Sequence, residues 1–357
     1  MTHWLVTGAA GFIGANFVRL ASAAADVRIT VLDALTYAGN LENIADLVDA
    51  GKIGFHRGDI CDAALVTELF AKYRFDRVVH FAAESHVDRS ILGAGPFIRT
   101  NIQGTAVLLD AARSSWQGQA GGRLFLHVST DEVFGSLEPC DPPFTEDSPY
   151  RPSSPYSASK AAADHLVRAW HHTYGLPAII SNCSNNYGPW QFPEKLIPLT
   201  ILNAFDGREL PVYGDGLQVR DWLHVEDHCR ALLAMLAGGQ VGRTYVVGGA
   251  CERANIDIVR RIATEVDALL GQPDGTTARL VRHVADRPGH DRRYAMNAAL
   301  LQRELGWRPR HDFEGALPAV VRWYWENRAW ADRIRSGAYI EYYQKQYGAR
   351  ARGPSRS

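Results

Sequence analysis

Apolar residues in the first half of the chain fall into short, nearly continuous runs separated by longer stretches with helical periodicity. Runs of this kind are typical of parallel strands whose sheet is covered on both faces, because neither side of the strand meets water. The predicted strands are 4–7, 27–32, 53–56, 76–82, 124–128 and 177–183. Helical stretches lie between them, for example at 100–113 and 159–174. The alternation predicts an α/β fold, a doubly wound parallel sheet of the Rossmann type.

The pattern becomes less regular beyond residue 187, where a loop-forming segment follows the sixth predicted strand. We therefore predict a Rossmann-like domain over 1–187 and a smaller mixed α/β domain that mainly comprises 188–357. Helical spacing at 225–236 and a strand pattern at 244–247 lie within 222–250. That segment is predicted to return to the first domain.

The composition restricts the class of protein. Of the 357 residues, 46% are hydrophobic and 22% are charged, which is typical of a water-soluble globular protein. A net charge of −1 argues against nucleic-acid binding, and no apolar run is long enough for a membrane helix. The five cysteines are widely spaced and show no Cys-x-x-Cys pattern. We therefore expect reduced thiols and a cytoplasmic protein without a signal peptide.

A glycine-rich turn follows the first predicted strand and leads into a helical pattern. Gly8, Gly11 and Gly14 form the spacing Gly-x-x-Gly-x-x-Gly. In this context a dinucleotide pyrophosphate can approach the backbone and a helix N-terminus closely. Asp33 ends the second predicted strand, where a carboxylate can accept from the adenosine ribose and would repel a 2′-phosphate. The sequence therefore predicts bound NAD rather than NADP, the alternative being an ordinary loop.

Two pairs of residues carry candidate chemistry. Tyr156 and Lys160 are spaced to share one helix face, where the ammonium would favour the phenolate and lower the pKa of Tyr156 from about 10. Such a phenolate can serve as a general base for an alcohol. Asp131 and Glu132 are adjacent, and two carboxyls in one site tend to divide into an acid and a base, as an elimination needs. Taken singly, each pair is also typical of a helix surface or a helix cap.

Cationic residues are also present in the less regular half of the chain. Taken singly, each is typical of a solvated surface, whereas together they could bind a diphosphate through charge-assisted hydrogen bonds. These residues are Lys195, Arg220, Arg287, Arg292 and Arg293. His3, His171 and His172 have no carboxylate or cysteine at ligand spacing, so the sequence predicts no metal site.

Longer motifs specify the family more closely. They lie at 82–90, 130–135, 184–189, 192–196 and 286–291. Together with the glycine turn and the Tyr156-x-x-x-Lys160 pair, they resemble the extended short-chain dehydrogenase/reductase family, and within it the dTDP-glucose 4,6-dehydratases. The resemblance covers nearly the whole chain, with small departures at Ala34, Phe134 and Trp190. It implies an NAD-dependent lyase that converts dTDP-glucose into dTDP-4-dehydro-6-deoxyglucose and water.

The resemblance implies a role for each catalytic residue. Tyr156, assisted by Lys160, would take the proton of the sugar C4 hydroxyl while hydride passes from C4 to NAD. Thr130 would hydrogen-bond the C4 oxygen. Glu132 would remove the C5 proton, Asp131 would protonate the departing C6 hydroxyl, and the hydride would return to C6.

The resemblance also implies binding residues and an oligomer. NAD contacts are expected from Gly8, Gly11, Phe12, Ile13, Gly14, Asp33, Leu35, Thr36, Asp59, Ile60, Phe81, Ala82, Ala83, Ser85, Thr100, Tyr156, Lys160 and Asn186. Nucleotide-sugar contacts are expected from Ser85, Thr130, Asn185, Lys195, Leu196, Pro211, Val212, Tyr213, Arg220, Asn255, Asp286, Arg287, Pro288, Gly289 and His290. A homodimer would form through helices near 100–114 and 159–174, and no nucleic-acid or membrane partner is expected.

Three alternatives remain at this stage. A nucleotide-sugar epimerase or decarboxylase of the same fold needs the Tyr156 and Lys160 pair but not a C5 base beside a C6 acid. Asp131 and Glu132 therefore favour the dehydratase. An NAD-binding scaffold without activity would be expected to lack one of these groups. A 4,6-dehydratase that acts on another nucleotide's sugar would differ only in a few contacts to the base.

Overall fold

The structure of the protein, a computed structural model, describes residues 1–24, 26–118 and 121–335. The strands in chain order are β1 (Thr2–Thr7), β2 (Val27–Asp33), β3 (Ile53–Arg57), β4 (Arg77–His80), β5 (Leu124–Thr130), β6 (Ala178–Cys183), β7 (Asn185–Tyr187), β8 (Leu210–Tyr213), β9 (Val219–His224), β10 (Thr244–Val247), β11 (Glu252–Ala254) and β12 (Val281–Val284). The helices are α1 (Phe12–Ala24), α2 (Ala45–Asp49), α3 (Ala63–Tyr73), α4 (Val87–Leu92), α5 (Gly95–Phe97), α6 (Thr105–Trp116), α7 (Pro155–Tyr174), α8 (Leu196–Phe205), α9 (Val225–Gly238), α10 (Asn255–Leu270), α11 (Ala299–Leu305), α12 (Phe313–Glu326) and α13 (Arg328–Ile334).

A seven-stranded parallel sheet has the order β3-β2-β1-β4-β5-β6-β10. The strand order reverses between the neighbours β1 and β4. Thr7 pairs with His80 and Thr130 pairs with Cys183, so the carboxyl ends of these strands lie along one edge. Ligands of doubly wound sheets bind at this edge beside the reversal. The predicted fold class is confirmed, and β10, from the predicted return segment, adds the seventh strand.

Helices cover both faces of the sheet. Because successive side chains of a strand point to opposite faces, Val6 packs in one apolar cluster with Phe17 of α1 and Leu232 of α9. Its neighbour Leu5 packs in a second cluster with Leu108 of α6. The sheet is therefore shielded from water on both sides, which explains the continuous apolar runs of its strands.

The helix α7 begins with a capping box. Ser154 accepts a hydrogen bond from the backbone N–H of Ser157 at 3.1 Å, and Ser157 accepts one from the N–H of Ser154 at 3.0 Å. Pro155 occupies the first turn, where its missing N–H costs nothing. Gly175 ends the helix with a φ of +69°. These local signals fix where the helix starts, and so place its first turns against the carboxyl edge of β5.

A second apolar core lies beyond the sheet. It brings together α8, α10 and α12, with Ile201, Val212, Ile262 and Leu317 in one buried cluster. Two small sheets, β11-β9-β7 and β12-β8, connect this body to the large one. The division of the chain near residue 187 stays a prediction, and the end of the second predicted domain, 336–357, lies outside the described residues. None of the described helices is long and apolar enough to cross a membrane.

Candidate active site

A cavity of about 580 Å³ opens at the carboxyl edge of the large sheet, beside the reversal of strand order. The glycine turn forms one wall. Gly8 has a φ of +74°, and a Cβ there would lie 2.5 Å from the backbone nitrogen of Ala82. A Cβ on Gly14 would lie 2.5 Å from the carbonyl oxygen of Gly8. Both positions require glycine because the backbone packs too closely for any side chain, which leaves a cradle into which a pyrophosphate fits.

Asp33 lies buried at the end of β2 and lines the same cavity. Its two carboxyl oxygens accept hydrogen bonds from the N–H of Ala10 at 2.9 Å and of Leu35 at 2.8 Å. Burial raises the pKa of Asp33, and these two hydrogen bonds oppose the rise. Each oxygen keeps a lone pair for a ribose hydroxyl. The glycine cradle and this fixed acceptor fit an adenine dinucleotide.

Most residues that were predicted to contact the cofactor line this cavity. They are Gly8, Gly11, Phe12, Ile13, Gly14, Asp33, Thr36, Asp59, Ile60, Phe81, Ala82, Ala83, Ser85, Thr100, Tyr156, Lys160 and Asn186. Leu35 does not line it but orients Asp33 through its N–H. Sequence reasoning missed Arg99, Glu84 and Cys183, which also line the cavity. Cys183 ends β6 at the carboxyl edge, a position from which it could have been anticipated.

Thr130 and the two acidic residues form the tight turn that follows β5. The Thr130 hydroxyl accepts from the N–H of Glu132 at 3.2 Å and donates to the Asp131 carboxyl at 3.1 Å. Burial, followed by the charge of Glu132, raises the pKa of Asp131 well above its ordinary value. Burial also raises the pKa of Glu132, but Arg287, Lys195 and Arg220 oppose that rise. The environments thus favour the protonated form more strongly for Asp131 than for Glu132, which is the more readily ionised of the two.

Tyr156 and Lys160, both on α7, line the cavity beside this pair. The Lys160 ammonium donates to the carbonyl of Val128 at 2.8 Å. Burial lowers the pKa of Lys160 to about 8, and Asp164 opposes that fall. Burial, with the charge of Glu132, raises the pKa of Tyr156 well above its ordinary value, although a hydrogen bond with Thr130 lowers it. Among the chain's own groups, burial therefore outweighs the expected effect of Lys160 on the phenol.

A second cavity, of about 160 Å³, adjoins the first and shares Glu132, Asn185 and Lys195 with it. Ten of the residues that were predicted to bind the nucleotide sugar line this second cavity. They are Asn185, Lys195, Leu196, Pro211, Val212, Tyr213, Arg220, Asn255, Arg287 and His290. Several buried atoms in its lining have no hydrogen-bond partner among the described residues, among them Asn185 Oδ1, Asn255 Oδ1 and Arg287 Nε. Since buried polar groups are normally paired, these atoms mark the cavity as a site for a polar ligand.

The other predicted sugar residues lie around the two cavities. Ser85 and Thr130 line the larger one, whereas Asp286, Pro288 and Gly289 line neither. Asp286 contacts His290 Nδ1 at 2.6 Å and so positions that ring.

Sequence reasoning missed some residues of the second cavity. Asp88 and Tyr294 line it; Asp88 lies inside one of the longer motifs. Asp88 accepts from Tyr213 at 3.0 Å, and its carboxyl lies 3.6 Å from Arg287. The Arg220 guanidinium lies over the Tyr294 ring, 4.3 Å from its centroid. These contacts hold the guanidinium groups of Arg220 and Arg287 and the ring of Tyr294 in place.

The five cationic residues separate into two groups. Lys195, Arg220 and Arg287 line the second cavity. Arg292 instead pairs with Asp215 at 3.1 Å, and Arg293 with Glu252 at 2.6 Å, away from either cavity. Diphosphate binding therefore stays a prediction for the first three, whereas Arg292 and Arg293 are held in ion pairs and line neither cavity.

One cluster in the described part of the chain brings together three potential metal ligands, His224, Glu226 and His311. His224 Nδ1 accepts from the N–H of Glu226 at 3.3 Å, and His311 Nδ1 lies 3.0 Å from Asp227. These contacts occupy only the Nδ1 atom of each ring, so the predicted absence of a metal site stays a prediction.

Comparison with known proteins identifies the family. The family model described as GDP-mannose 4,6 dehydratase matches residues 5–319. A dTDP-glucose 4,6-dehydratase of Neisseria meningitidis is 54% identical over 346 residues, which cover 95% of this chain and 98% of that protein. The dTDP-glucose 4,6-dehydratase 1 of Escherichia coli K12 is 50% identical over 97% of this chain and 99% of its own length.

Solved structures agree with these relatives. The crystal structure of DesIV, a dTDP-glucose 4,6-dehydratase from Streptomyces venezuelae with NAD and dTDP bound, matches with a TM-score of 0.85 and 47% identity, over 93% of this chain and 100% of that one. A UDP-glucose 4-epimerase from Thermus thermophilus in complex with NAD matches with a TM-score of 0.80 but only 27% identity, over 90% and 99% of the two chains. The chain therefore belongs to the nucleotide-sugar 4,6-dehydratase family, and within it to the dTDP-glucose 4,6-dehydratases.

Proposed function

We propose that the protein converts dTDP-glucose into dTDP-4-dehydro-6-deoxyglucose and water with NAD as its cofactor. The observation that carries this proposal is the pair of Asp131, which is buried, and Glu132, which is half-buried. Both line the larger cavity with Tyr156, and Glu132 also lines the second cavity. An epimerase of the same fold has no use for an acid and a base side by side. The 47% identity to a dTDP-glucose dehydratase, against 27% to an epimerase, supports the same conclusion.

The chain offers NAD the glycine cradle of Gly8 and Gly14, the Asp33 carboxyl and the pair Tyr156 and Lys160. When bound, NAD supplies the hydride acceptor for C4 and the hydride donor for C6, and its cationic ring favours the Tyr156 phenolate. Since the cofactor is restored in each turnover, we expect it to stay with the protein during purification.

The first proton transfer involves Tyr156. Its phenolate oxygen takes the proton of the sugar C4 hydroxyl, while the Thr130 hydroxyl holds the C4 oxygen in place. The Lys160 ammonium, fixed by the carbonyl of Val128, stabilises the negative charge that Tyr156 carries before this step. The C4 carbon becomes a ketone, which acidifies the proton on C5.

The elimination uses the two carboxyls. Glu132 removes the C5 proton, and Asp131 donates its proton to the C6 oxygen, which leaves as water. Glu132 then returns a proton to C5. After one turnover Tyr156 holds one proton more and Asp131 one fewer, so both must be reset before the next. Thr130 hydrogen-bonds both side chains and lies between them.

The Arg220 and Arg287 guanidinium groups, together with Lys195, provide the positive charge that a nucleoside diphosphate requires. The dTDP bound to DesIV supports thymidine as the nucleoside. The unpartnered oxygens of Asn185 and Asn255 offer acceptors for hydroxyl groups of the substrate.

We also propose a cytoplasmic homodimer. The predicted interface helices correspond to α6 and α7, and exposed apolar groups at Ile98 and Tyr174 adjoin them. Burial of such groups against a second copy would remove apolar surface from water. The five cysteines, all in the described part of the chain, are free thiols, which supports a reducing compartment.

Proton NMR of the purified protein with dTDP-glucose in deuterated water, without added NAD, tests the reaction. A new methyl signal with deuterium at C5 would support elimination, internal hydride return and a resident cofactor together. If the C6 CH₂OH signals persisted and only the C4 configuration changed, the protein would be an epimerase instead. If dTDP-glucose stayed unchanged with NAD supplied, the proposed substrate would be wrong.

A further inference from the structure

A fully buried carboxylate, Asp164, lies one helical turn after Lys160 on α7. Its Oδ2 accepts hydrogen bonds from Tyr150 at 2.7 Å, Ser129 at 3.0 Å and Asn182 at 3.1 Å. On the other side, its Oδ1 lies 3.2 Å from His127 Nε2. The group lines neither of the two cavities of the site, so it cannot contact the substrate.

The surrounding donors favour the ionised form of Asp164. Burial by itself raises the pKa of a carboxyl, but the close contact with His127 and the charge of Lys160 hold the pKa of Asp164 below its ordinary value. A buried negative charge is costly unless a cation compensates it. Among the described residues around Asp164, Lys160 is the buried cation, whereas Arg168 lies further out and donates to Tyr150 and Thr244.

His127 lies between the two charges. Its Nε2 is 3.2 Å from the Asp164 carboxyl and 3.4 Å from the Lys160 ammonium. Burial, together with the charge of Lys160, lowers the pKa of His127 to about 4, so the ring is neutral at physiological pH. Its Nδ1 has no hydrogen-bond partner in the described structure. A neutral imidazole packed between a cation and an anion keeps water out and leaves their attraction unscreened.

Burial favours the neutral form of the other titratable groups around Lys160. Cys183 of β6 is a thiol whose pKa is raised by burial. His80 of β4 is fully buried, and burial lowers its pKa well below the ordinary value. Tyr156, on the same helix as Lys160, has a raised pKa for the reason given above. This leaves Asp164 as the anion that faces Lys160 from within the described core.

We propose that Asp164 is the buried counter-ion of Lys160, a positioning residue that keeps the ammonium charged so that Tyr156 can accept the proton of the C4 hydroxyl. Asp164 acts through Lys160 and touches neither substrate nor cofactor. This inference rests on the proposed function for its catalytic consequence, whereas its effect on Lys160 can be measured without any turnover.

The direct test is the titration of Lys160 by NMR in protein labelled with ¹³C at the lysine Cε, with Lys160→Met to assign the signal. In the unaltered protein, Lys160 is expected to titrate with a pKa of about 8. In Asp164→Asn, the pKa should fall by about one unit or more, because an opposite charge at this range shifts a pKa by about 1–3 units. An unchanged titration in Asp164→Asn would overturn the proposal.

Kinetics provide a second readout. In Asp164→Asn, kcat at pH 8 should fall about five-fold if the pKa of Lys160 drops by one unit and about fifty-fold if it drops by two, with KM little changed and a smaller loss at pH 6.5. Asp164→Glu, which keeps the negative charge, should restore kcat at alkaline pH. A uniform loss at all pH values, with no rescue by glutamate, would show a merely structural role and would count against the proposal.

The matched control is Asp267→Asn. Asp267 is equally buried and accepts from the N–H of Thr277 at 3.0 Å, but it lies on α10, in the other core. This variant should be less stable, and the pKa of Lys160 in it should be unchanged.

If Asp164→Asn does not fold, Tyr150→Phe serves instead, since it removes the 2.7 Å hydrogen bond that stabilises the ionised form of Asp164. It should lower the pKa of Lys160 by a smaller amount, and no shift there would overturn the proposal. If the unaltered protein does not turn over dTDP-glucose while the Lys160 titration behaves as expected, only the proposed function fails.

Discussion

Thr130 donates a hydrogen bond to one carboxyl oxygen of Asp131, with 3.1 Å between Thr130 Oγ1 and Asp131 Oδ1. The other oxygen of Asp131 is buried and has no partner among the described residues. That oxygen is free to carry a proton, which burial and the adjacent Glu132 favour because they raise the pKa of the carboxyl. Thr130 thus orients Asp131 so that its proton remains available to the departing oxygen of the substrate.

Asp131→Asn should slow elimination while leaving C4 oxidation in place. A general acid typically contributes about 10²–10⁴-fold, so the rate of methyl formation followed by NMR should fall by about that factor. Glu132→Gln should slow the reaction similarly and should also abolish incorporation of deuterium at C5.

The control for these variants is Asp141→Asn, because Asp141 is exposed and caps a loop through the N–H of Glu138. Its rate should equal that of the unaltered protein. If Asp131→Asn formed the methyl product at the normal rate, the assignment of Asp131 as the acid would be wrong.

Gly8→Ala should release the cofactor. The new Cβ would lie 2.5 Å from the backbone nitrogen of Ala82, so the turn must open and the pyrophosphate cradle with it. The NAD content of the purified protein, measured by absorbance after denaturation, should drop to near zero.

Gly175→Ala is the matched comparison for that experiment. Gly175 also has a positive φ, +69°, but a Cβ there would meet nothing within 4 Å. It should cost about 1 kcal/mol of stability and retain NAD. Loss of NAD from both variants to the same degree would show that destabilisation, rather than the cradle, is responsible.

Arg287→Gln should weaken nucleotide binding. Arg287 is largely buried beside the second cavity and has an unpartnered Nε, and a charge-assisted hydrogen bond contributes about 1.5–3 kcal/mol. Calorimetric titration with dTDP should therefore show a dissociation constant about ten- to a hundred-fold higher. Arg292→Gln, which removes an exposed guanidinium paired with Asp215, should bind dTDP normally. Equal affinity in the two variants would exclude Arg287 from the diphosphate site.

Asp221 makes part of the stability depend on pH. Burial raises its pKa to about 6 from 3.8, against hydrogen bonds from the N–H groups of Cys251 and Gly249. Between these two values the folded protein binds more protons than the unfolded chain, so the contribution of Asp221 to stability falls as the pH rises. The slope is at most about 1.4 kcal/mol per pH unit. Urea unfolding from pH 4 to 7 should show a flatter dependence in Asp221→Asn than in the unaltered protein. A parallel dependence in both proteins would contradict the raised pKa.

The sequence by itself determined those features that depend on local geometry. The glycine turn, the acid pair after β5 and the spacing of Tyr156 and Lys160 follow from how residues are arranged along a strand end or one helix face. For the same reason the sequence predicted the parallel sheet, since its continuous apolar strands need cover on both faces. The longer motifs placed the family, which the comparisons confirm.

Only the tertiary structure decided which distant residues contact these groups and how deeply the groups are buried. The contact of Asp164 with His127 joins α7 to β5, and the division of the cationic residues depends on how the loop near Arg292 folds back onto Asp215. The raised pKa of Tyr156 has the same origin, because burial is a property of the packed molecule. Spacing along the chain cannot encode such relationships, since they arise when distant elements pack together and exclude water, and that exclusion determines which charges the interior can hold.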